Sequence, residues 1–230
     1  MRSITSITMI LLLLCSATCF SQVRFGIKAG FNMASLPGDY PNGVENESLA
    51  GFHAGGTLDY KLASKISLLA EVLISTQGGK TDYSPNPFES QKQDIKLTNL
   101  NIPVFFRNQI IDKLSVEAGP QIGFVLAATN KIIYVNSADP SENETIKLDG
   151  LNDGTFTSDG MTYAYKKGIN SVDVSVNLGV TYSIVKNFYV QARYNRGLTD
   201  VDLNSTAGTS SNSLNLRNSV VQLSAGYLFN

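Results

Sequence analysis

The sequence predicts an all-β fold, an eight-stranded antiparallel up-and-down transmembrane β-barrel, on three observations. Apolar and polar residues alternate with a period of two over eight separate runs after Val23. The connections between these runs are alternately long and short. One face of the runs is built from Gly, Ser, Asn and Gln with a few charges, while aromatic residues gather near both ends of the other.

In chain order, Val23, Phe25, Ile27, Ala29, Phe31 and Met33 alternate with Arg24, Gly26, Lys28, Gly30 and Asn32 to give the first strand. Residues 34–50 read as a polar, turn-rich loop. The second strand sets Phe52, Ala54, Gly56, Leu58, Tyr60 and Leu62 against His53, Gly55, Thr57, Asp59 and Lys61. A tight turn at Ala63-Ser64-Lys65 leads to the third. There Ile66, Leu68, Ala70, Val72 and Ile74 oppose Ser67, Glu71, Ser75 and Gln77, although Leu69 and Leu73 interrupt the polar face. Residues 78–95, with Pro85 and Pro87, read as a second polar loop. The clearest hairpin runs from Thr98 to Ala127. Leu100, Ile102, Val104 and Phe106 alternate with Asn99, Asn101, Pro103 and Arg107, and after a short turn at 110–113 the pattern resumes. Leu114, Val116, Ala118, Ile122, Phe124 and Leu126 then face away from Ser115, Glu117, Gly119, Gln121 and Gly123. Pro103 and Pro120 each remove a ladder donor, which predicts a bulge or bend here.

Residues 128–171 form a long polar segment in which Ile132–Val135 and Met161–Tyr165 have the composition to prolong the flanking strands beyond the membrane. The sixth strand opposes Val172, Val174, Val176, Leu178, Val180 and Tyr182 to Asp173, Ser175, Asn177, Gly179 and Thr181. A turn at Val185-Lys186-Asn187 precedes the seventh, with Phe188, Val190, Ala192 and Tyr194 opposite Gln191, Arg193 and Asn195. Residues 199–216, rich in Ser, Asn, Thr and Gly, have little means of burying themselves. Val221, Leu223, Ala225, Tyr227 and Phe229 mark the eighth strand. Long loops then fall on the extracellular side, and short turns and both termini on the periplasmic side.

Alternation alone does not choose which face lies inside, since a soluble lipocalin-like binder would enclose the apolar one. Two features choose the inverted arrangement. A soluble exterior carries many Lys and Glu, which this polar face lacks. The apolar-face aromatics also form two belts: Phe25, Tyr60, Phe106, Tyr182, Phe188, Tyr227 and Phe229 near the turns, and Phe31, Phe52, Phe124 and Tyr194 near the loops. Such belts mark the two membrane interfaces.

Several motifs carry a family resemblance. Leu100-Asn101-Ile102-Pro103 near the end of one strand is followed by Glu117-Ala118-Gly119-Pro120-Gln121-Ile122-Gly123-Phe124 in the next. Ala192-Arg193-Tyr194-Asn195-Arg196-Gly197-Leu198 and the closing run from Gln222 to Phe229 add to these. With them the chain resembles the PorT-type outer-membrane β-barrel family of Bacteroidetes over nearly all of its length after residue 21. The resemblance implies the barrel and an outer-membrane location. It includes a protein of a secretion machinery, and does not by itself imply an activity.

Residues 1–21 read as a signal peptide, with Arg2, an apolar run from Met9 to Leu14, and small residues before a cleavage site ahead of Gln22. The domain then occupies 22–230. Cys15 and Cys19, the two cysteines of the chain, fall inside the leader, which leaves the mature chain without thiol chemistry. Lipidation at Cys19 is an alternative that Ser16-Ala17-Thr18 supports poorly. The net charge of −1 gives no nucleic-acid footprint.

Candidate chemistry lies on the inward face, which carries Arg24, Lys28, Lys61, Arg107 and Arg193 with Asp59, Glu71, Glu117 and Asp173. Counting from the turns places Lys28, Glu71, Glu117 and Arg193 at one depth, where isolated charges would be costly, so an ion-pair cluster across the lumen is expected. The preferred reading is a structural plug, because an eight-stranded barrel is only wide enough for side chains to fill. A gate or proton-linked site is the alternative. His53, the single histidine, points inward, whereas a lipid-modifying hydrolase needs it toward lipid or the rim. Asp149-Gly150-Leu151-Asn152-Asp153-Gly154 hints at calcium, but Leu151 stands where an oxygen donor is needed. No catalytic, cofactor or metal residues are assigned. Outer-membrane lipid and envelope or secretion-complex proteins are the expected partners. The functional expectation is a non-enzymatic structural or interaction protein; a narrow porin-like channel and a lipid-modifying enzyme remain open.

Overall fold

The computed structural model describes residues 22–158, 160–201 and 214–229. The predicted leader with both cysteines, Asn230 and most of the predicted 199–216 loop lie outside them. Eleven strands follow in order: β1 (Val23–Ser35), β2 (Val44–Lys61), β3 (Ile66–Asn86), β4 (Glu89–Ile111), β5 (Leu114–Asn136), β6 (Glu144–Asp149), β7 (Gly154–Ser158), β8 (Met161–Tyr165), β9 (Val172–Ser183), β10 (Phe188–Gly197) and β11 (Ser219–Leu228). Eight of them close a ring. Each of β1 to β5 pairs with the next, β5 pairs with β9, β9 with β10, β10 with β11, and β11 returns to β1, all antiparallel. Closure leaves no edge in the membrane, where lipid offers backbone groups no partner.

The pleat sends apolar side chains outward. Ile27, Ile102 and Val176, mid-strand on three walls, are 57%, 38% and 45% exposed, while Lys28, Asn101 and Asn177 beside them are buried. Phe25, Phe106, Tyr182 and Phe229 ring the turn end, and Phe31, Phe52 and Tyr194 the loop end, all exposed. Phe31 and Phe52 are directly cross-strand. This is the lipid-facing pattern of a transmembrane barrel.

The extracellular side is more ordered than its composition suggests. Residues 78–95 are not a loop: β3 and β4 run on as a paired hairpin to Asn86 and Glu89, with 21 and 23 residues where about 10 cross a bilayer. The polar residues there pair because a two-residue connection at Pro87-Phe88 holds the strands in register. Part of 34–50 is also strand, since β2 begins at Val44 and pairs with Tyr83. Ile132–Val135 prolong β5 as expected. Above Phe124, however, β5 leaves β9 and takes β6 as its neighbour. Met161–Tyr165 do not prolong β9; they pair with β7 in a separate hairpin, where Phe156 stacks on Tyr163 at 5.4 Å.

The bulge predicted in this hairpin is present, but not at the prolines. Pro103 pairs with Gln121 and Phe106 with Ala118, so the register is the same on either side of an unbridged step. That step is held close by Gly119, where an added Cβ would lie 1.9 Å from the Val104 carbonyl oxygen. The bulge sits further along, at Leu126, between the pairs Asn99–Val125 and Thr98–Ala127.

Candidate functional site: the barrel lumen

Alternate residues of every wall strand point into the barrel, and long side chains fill it from opposite walls. The four residues expected at one depth meet. Lys28 Nζ lies 2.8 Å from Glu71 Oε2, Arg193 Nη1 lies 2.8 Å from the same oxygen, and Arg193 Nη2 lies 2.6 Å from Glu117 Oε1. All four side chains are fully buried. Glycines make the room. Glu117, Gly179 and Arg193 form one row across β5, β9 and β10, and a Cβ on Gly179 would sit 3.3 Å from both the Glu117 carboxylate and the Arg193 stem. Lys28 likewise has Gly55 and Gly226 as its two cross-strand neighbours.

The network is wider than those four. Arg107 donates to Glu117 Oε2 at 2.8 and 3.0 Å, and lies 3.4 Å from Asp59, which also pairs with Arg24 at 2.9 Å. Gln191 accepts from Lys28 at 2.9 Å and donates to Glu117 at 2.7 Å. Phe105 lies 3.8 Å beneath the Arg193 guanidinium, with Leu69 cross-strand to it and Leu69 and Leu73 buried in the same wall. The apolar interruptions in the third strand thus face the lumen as part of its packing. Arg107 was readable as inward, but its reach to Glu117 was not. Phe105 was legible only as an aromatic on a polar face, as was Tyr189 beside Gln191 and Arg193.

Toward the loops the lumen becomes a chain of neutral polar groups. His53 is 1% exposed; its Nδ1 lies 2.7 Å from Asn32 Oδ1 and its Nε2 2.8 Å from Ser224 Oγ. Asn32 donates onward to Ser75 at 2.9 Å, Gln77 to Ser75 at 3.2 Å, and Asn99 to Gln77 at 3.1 Å. Asp173 accepts from Asn218 at 2.8 Å and Thr199 at 3.0 Å.

Above this lies an apolar cap that the sequence did not reveal. Leu36 from the first loop, Ile95 and Leu97 of β4, Val125 and Ala128 of β5, Ile169, Val201 and Leu216 bury together. Val201 and Leu216, near the two ends of the Ser/Asn-rich segment, are buried in the cap, while residues 202–213 between them lie outside the described residues. Tyr40 packs on the cap, donates to the Leu36 carbonyl at 2.7 Å, and burial pushes its phenol up to about 12.

The Asp149–Gly154 segment is a turn closed by its own side chains. Asp149 accepts from Leu151 N at 2.9 Å and Asn152 Nδ2 at 2.8 Å, and Asp153 accepts from Lys166 at 2.8 Å. Those hydrogen bonds lower both carboxyls from their ordinary range.

At the opposite end a cavity of about 630 Å³ opens between the short turns, with Arg24, Asp59 and Arg107 in its wall. The lumen is therefore open to the turn side, filled at mid-depth and capped at the loop side. A closed ring of eight strands, apolar outward and polar inward, defines an integral membrane β-barrel of the outer-membrane class. Residues 16–203 match the family model described as the outer membrane protein beta-barrel domain, and the chain belongs to that family. It is an outer-membrane protein.

No curated protein matches the chain. Solved structures similar to it include Ail, the attachment invasion locus protein of Yersinia pestis, at 11% identity and TM-score 0.43, covering 90% of this chain and 99% of that one. Neisserial surface protein A is similar at 12% identity and TM-score 0.44, covering 89% and 97%. The outer membrane protease OmpT from Escherichia coli is similar at 14% identity and TM-score 0.41, covering 90% and 97%. At such low identity and TM-score, their roles say nothing of this chain.

Proposed function

We propose that this barrel is a non-conducting, non-enzymatic anchor whose extracellular sheet and loops make the functional contacts. The observation that carries it is the double closure of the lumen, by the Arg193-centred ion network and by the apolar cap. Lys28, Glu71, Glu117 and Arg193 are in this reading a structural plug. The β2–β6 sheet that rises above the membrane supplies the contact surface. We also infer the finer PorT-type membership from the motifs around Pro103, Pro120 and Arg193, and with it docking to an envelope or secretion complex.

Catalysis is not part of the reading. Ser224, His53 and Asn32 stand in hydrogen-bonded line, as a nucleophile, base and orienting group would. They are 7%, 1% and 1% exposed; Ser224 borders a shallow apolar groove with Phe31, Val190 and Leu223, and that groove takes in neither His53 nor Asn32. Mild-detergent co-purification from outer membranes with mass spectrometry tests the proposal: a stoichiometric envelope partner is expected. Stable, large conductance of pure protein in planar bilayers would overturn the plug and favour a channel. A change in lipid A mass on expression, abolished by His53→Ala, would overturn the non-enzymatic reading.

A further inference from the structure

The vestibule at the turn end has a charge that the plug does not use. Its floor is formed where Asp59 is shared between Arg24 and Arg107, at 2.9 and 3.4 Å. Arg107 is further committed to Glu117, while Arg24 Nε is buried with no hydrogen-bond partner. Around the mouth stand Lys61 at the end of β2, Lys65 in the β2–β3 turn, Lys113 in the β4–β5 turn and Lys186 in the β9–β10 turn. All four are exposed, and none forms an ion pair among the described residues. The acids lining the same cavity are Asp59, already held by two arginines, and Asp112. Cationic groups thus converge on a concave space from several walls of the barrel, with too little acid to neutralise them.

We propose that this vestibule binds a small polyanion, a molecule carrying two or more phosphate, sulfate or carboxylate groups, on the periplasmic side. The size fits, since about 630 Å³ lies within the usual range of roughly 300–1,000 Å³ for small-molecule sites. The charge pattern selects more than one anionic group. Lysines on separate turns of the ring each act as a point charge, and a monovalent ion can meet only part of them. The Lys28–Glu71–Arg193 network closes the inner end, so the ligand binds and leaves by the same mouth. A concave site lined by one sign of charge also concentrates its counter-ion before contact. The ligand is either a free periplasmic solute or the headgroup of an anionic phospholipid in the adjoining leaflet; the chemistry is shared.

The test uses the full mature chain in an uncharged detergent, with inorganic pyrophosphate as the probe and titration calorimetry as the readout. One-to-one saturable binding is expected, weakening as salt is raised. In the variant carrying Lys61→Gln, Lys65→Gln, Lys113→Gln and Lys186→Gln the affinity falls at least tenfold. An extracellular variant, Lys131→Gln with Lys147→Gln, leaves it unchanged. Far-UV circular dichroism verifies that both remain barrels, which the exposure of five of the lysines and the partial exposure of Lys131 lead one to expect. Repeating the titration in nanodiscs with and without phosphatidylglycerol assigns the source: competition identifies the headgroup, and undiminished binding identifies a free solute. Absence of saturable pyrophosphate binding, equal loss in both variants, or binding of a poly-glutamate peptide with none of pyrophosphate overturns the proposal.

Discussion

The guanidinium of Arg193 lies 3.8 Å from the centroid of the Phe105 ring while donating to Glu71 and Glu117 along its edge. Ring face below and carboxylates at the rim satisfy the cation from two directions without water. A planar guanidinium does this and an ammonium does not. Removing Arg193 leaves two buried carboxylates short of a partner. Arg193→Ala is therefore expected to destabilise the barrel by about 3–5 kcal/mol, and Arg193→Lys by an intermediate amount. Phe105→Leu, which keeps apolar bulk but not the ring face, costs about 2 kcal/mol or less. Urea unfolding in lipid, followed by tryptophan-free near-UV dichroism of the tyrosines, checks the order. A Phe105→Leu cost equal to that of Arg193→Ala would show that packing, not charge, organises this level.

Closure at two levels has a consequence for conductance. Leu97 is fully buried in the cap, and Leu216 is 4% exposed. Leu97→Ser with Leu216→Ser opens the cap but leaves the ion network beneath it, so planar bilayers remain silent. Adding Glu71→Ala and Arg193→Ala removes the second barrier, and discrete openings are expected only in that combined variant. Conductance from the cap variant alone would mean that the network is not a plug.

How much of this was legible follows from the physics of each feature. The wall was readable residue by residue because a period of two is imposed by the pleat and by lipid, neither of which depends on distant contacts. Ile27 outward and Lys28 inward needed nothing but parity. The meeting of Lys28, Glu71, Glu117 and Arg193 was also within reach, because depth in a barrel follows from counting along strands. The cap was not. Leu36, Leu97, Ile169, Val201 and Leu216 come from separate loops and strands without periodicity, and only the ring topology brings them together. Residues 78–95 failed for a different reason. Above the membrane both faces of a hairpin meet water, so Lys80, Asp82, Lys92 and Asp94 show no alternation to read, although their backbones pair.

Two glycines give opposite forecasts for the same substitution. At Gly119 an added Cβ would lie 1.9 Å from the Val104 carbonyl oxygen, and neither backbone can move without opening the β4–β5 ladder. At Gly56 the nearest atom is 3.9 Å away, on the lipid side of the wall. Gly119→Ala is expected to cost about 1–3 kcal/mol, as overpacking does, and Gly56→Ala to be near neutral. Equal folding yields for the two would contradict the observed strand spacing.

Lipid exposure can be read by charge. Leu178, at mid-strand in β9, is 65% exposed, and Phe52 in the loop-end belt is 63% exposed. Their exposure is alike, but their depth differs. Leu178→Arg should cost about 2–4 kcal/mol and Phe52→Arg about 0–1 kcal/mol from depth alone, since the penalty falls toward the interface. Reversible unfolding from liposomes of matched thickness measures both. A larger penalty at Phe52 would move the membrane toward the loops by a turn of the pleat.

The loop hairpin of β7 and β8 carries a pH dependence of its own. Asp153 takes a hydrogen bond from Lys166 and another from the Lys167 amide, and Asp149 is bound by Asn152 and Leu151. These bonds hold both carboxyls below the ordinary value of 3.8. A carboxyl lowered by folding stabilises the folded loop above its unfolded pKa, and that contribution disappears as the pH falls through the lowered value. Both carboxylates therefore support this turn at neutral pH, and their support is lost below about pH 4. Pepsin digestion of intact proteoliposomes between pH 2 and 5 reads this directly. Cleavage between Asp149 and Lys167 should rise steeply below pH 4 while the barrel wall stays intact. In Asp153→Asn the loop keeps a neutral acceptor but loses the charge, so the same cleavage should be present at pH 5 and depend less on pH. If Asp153→Asn and the parent chain give the same profile, the Asp153–Lys166 pair does not order this loop.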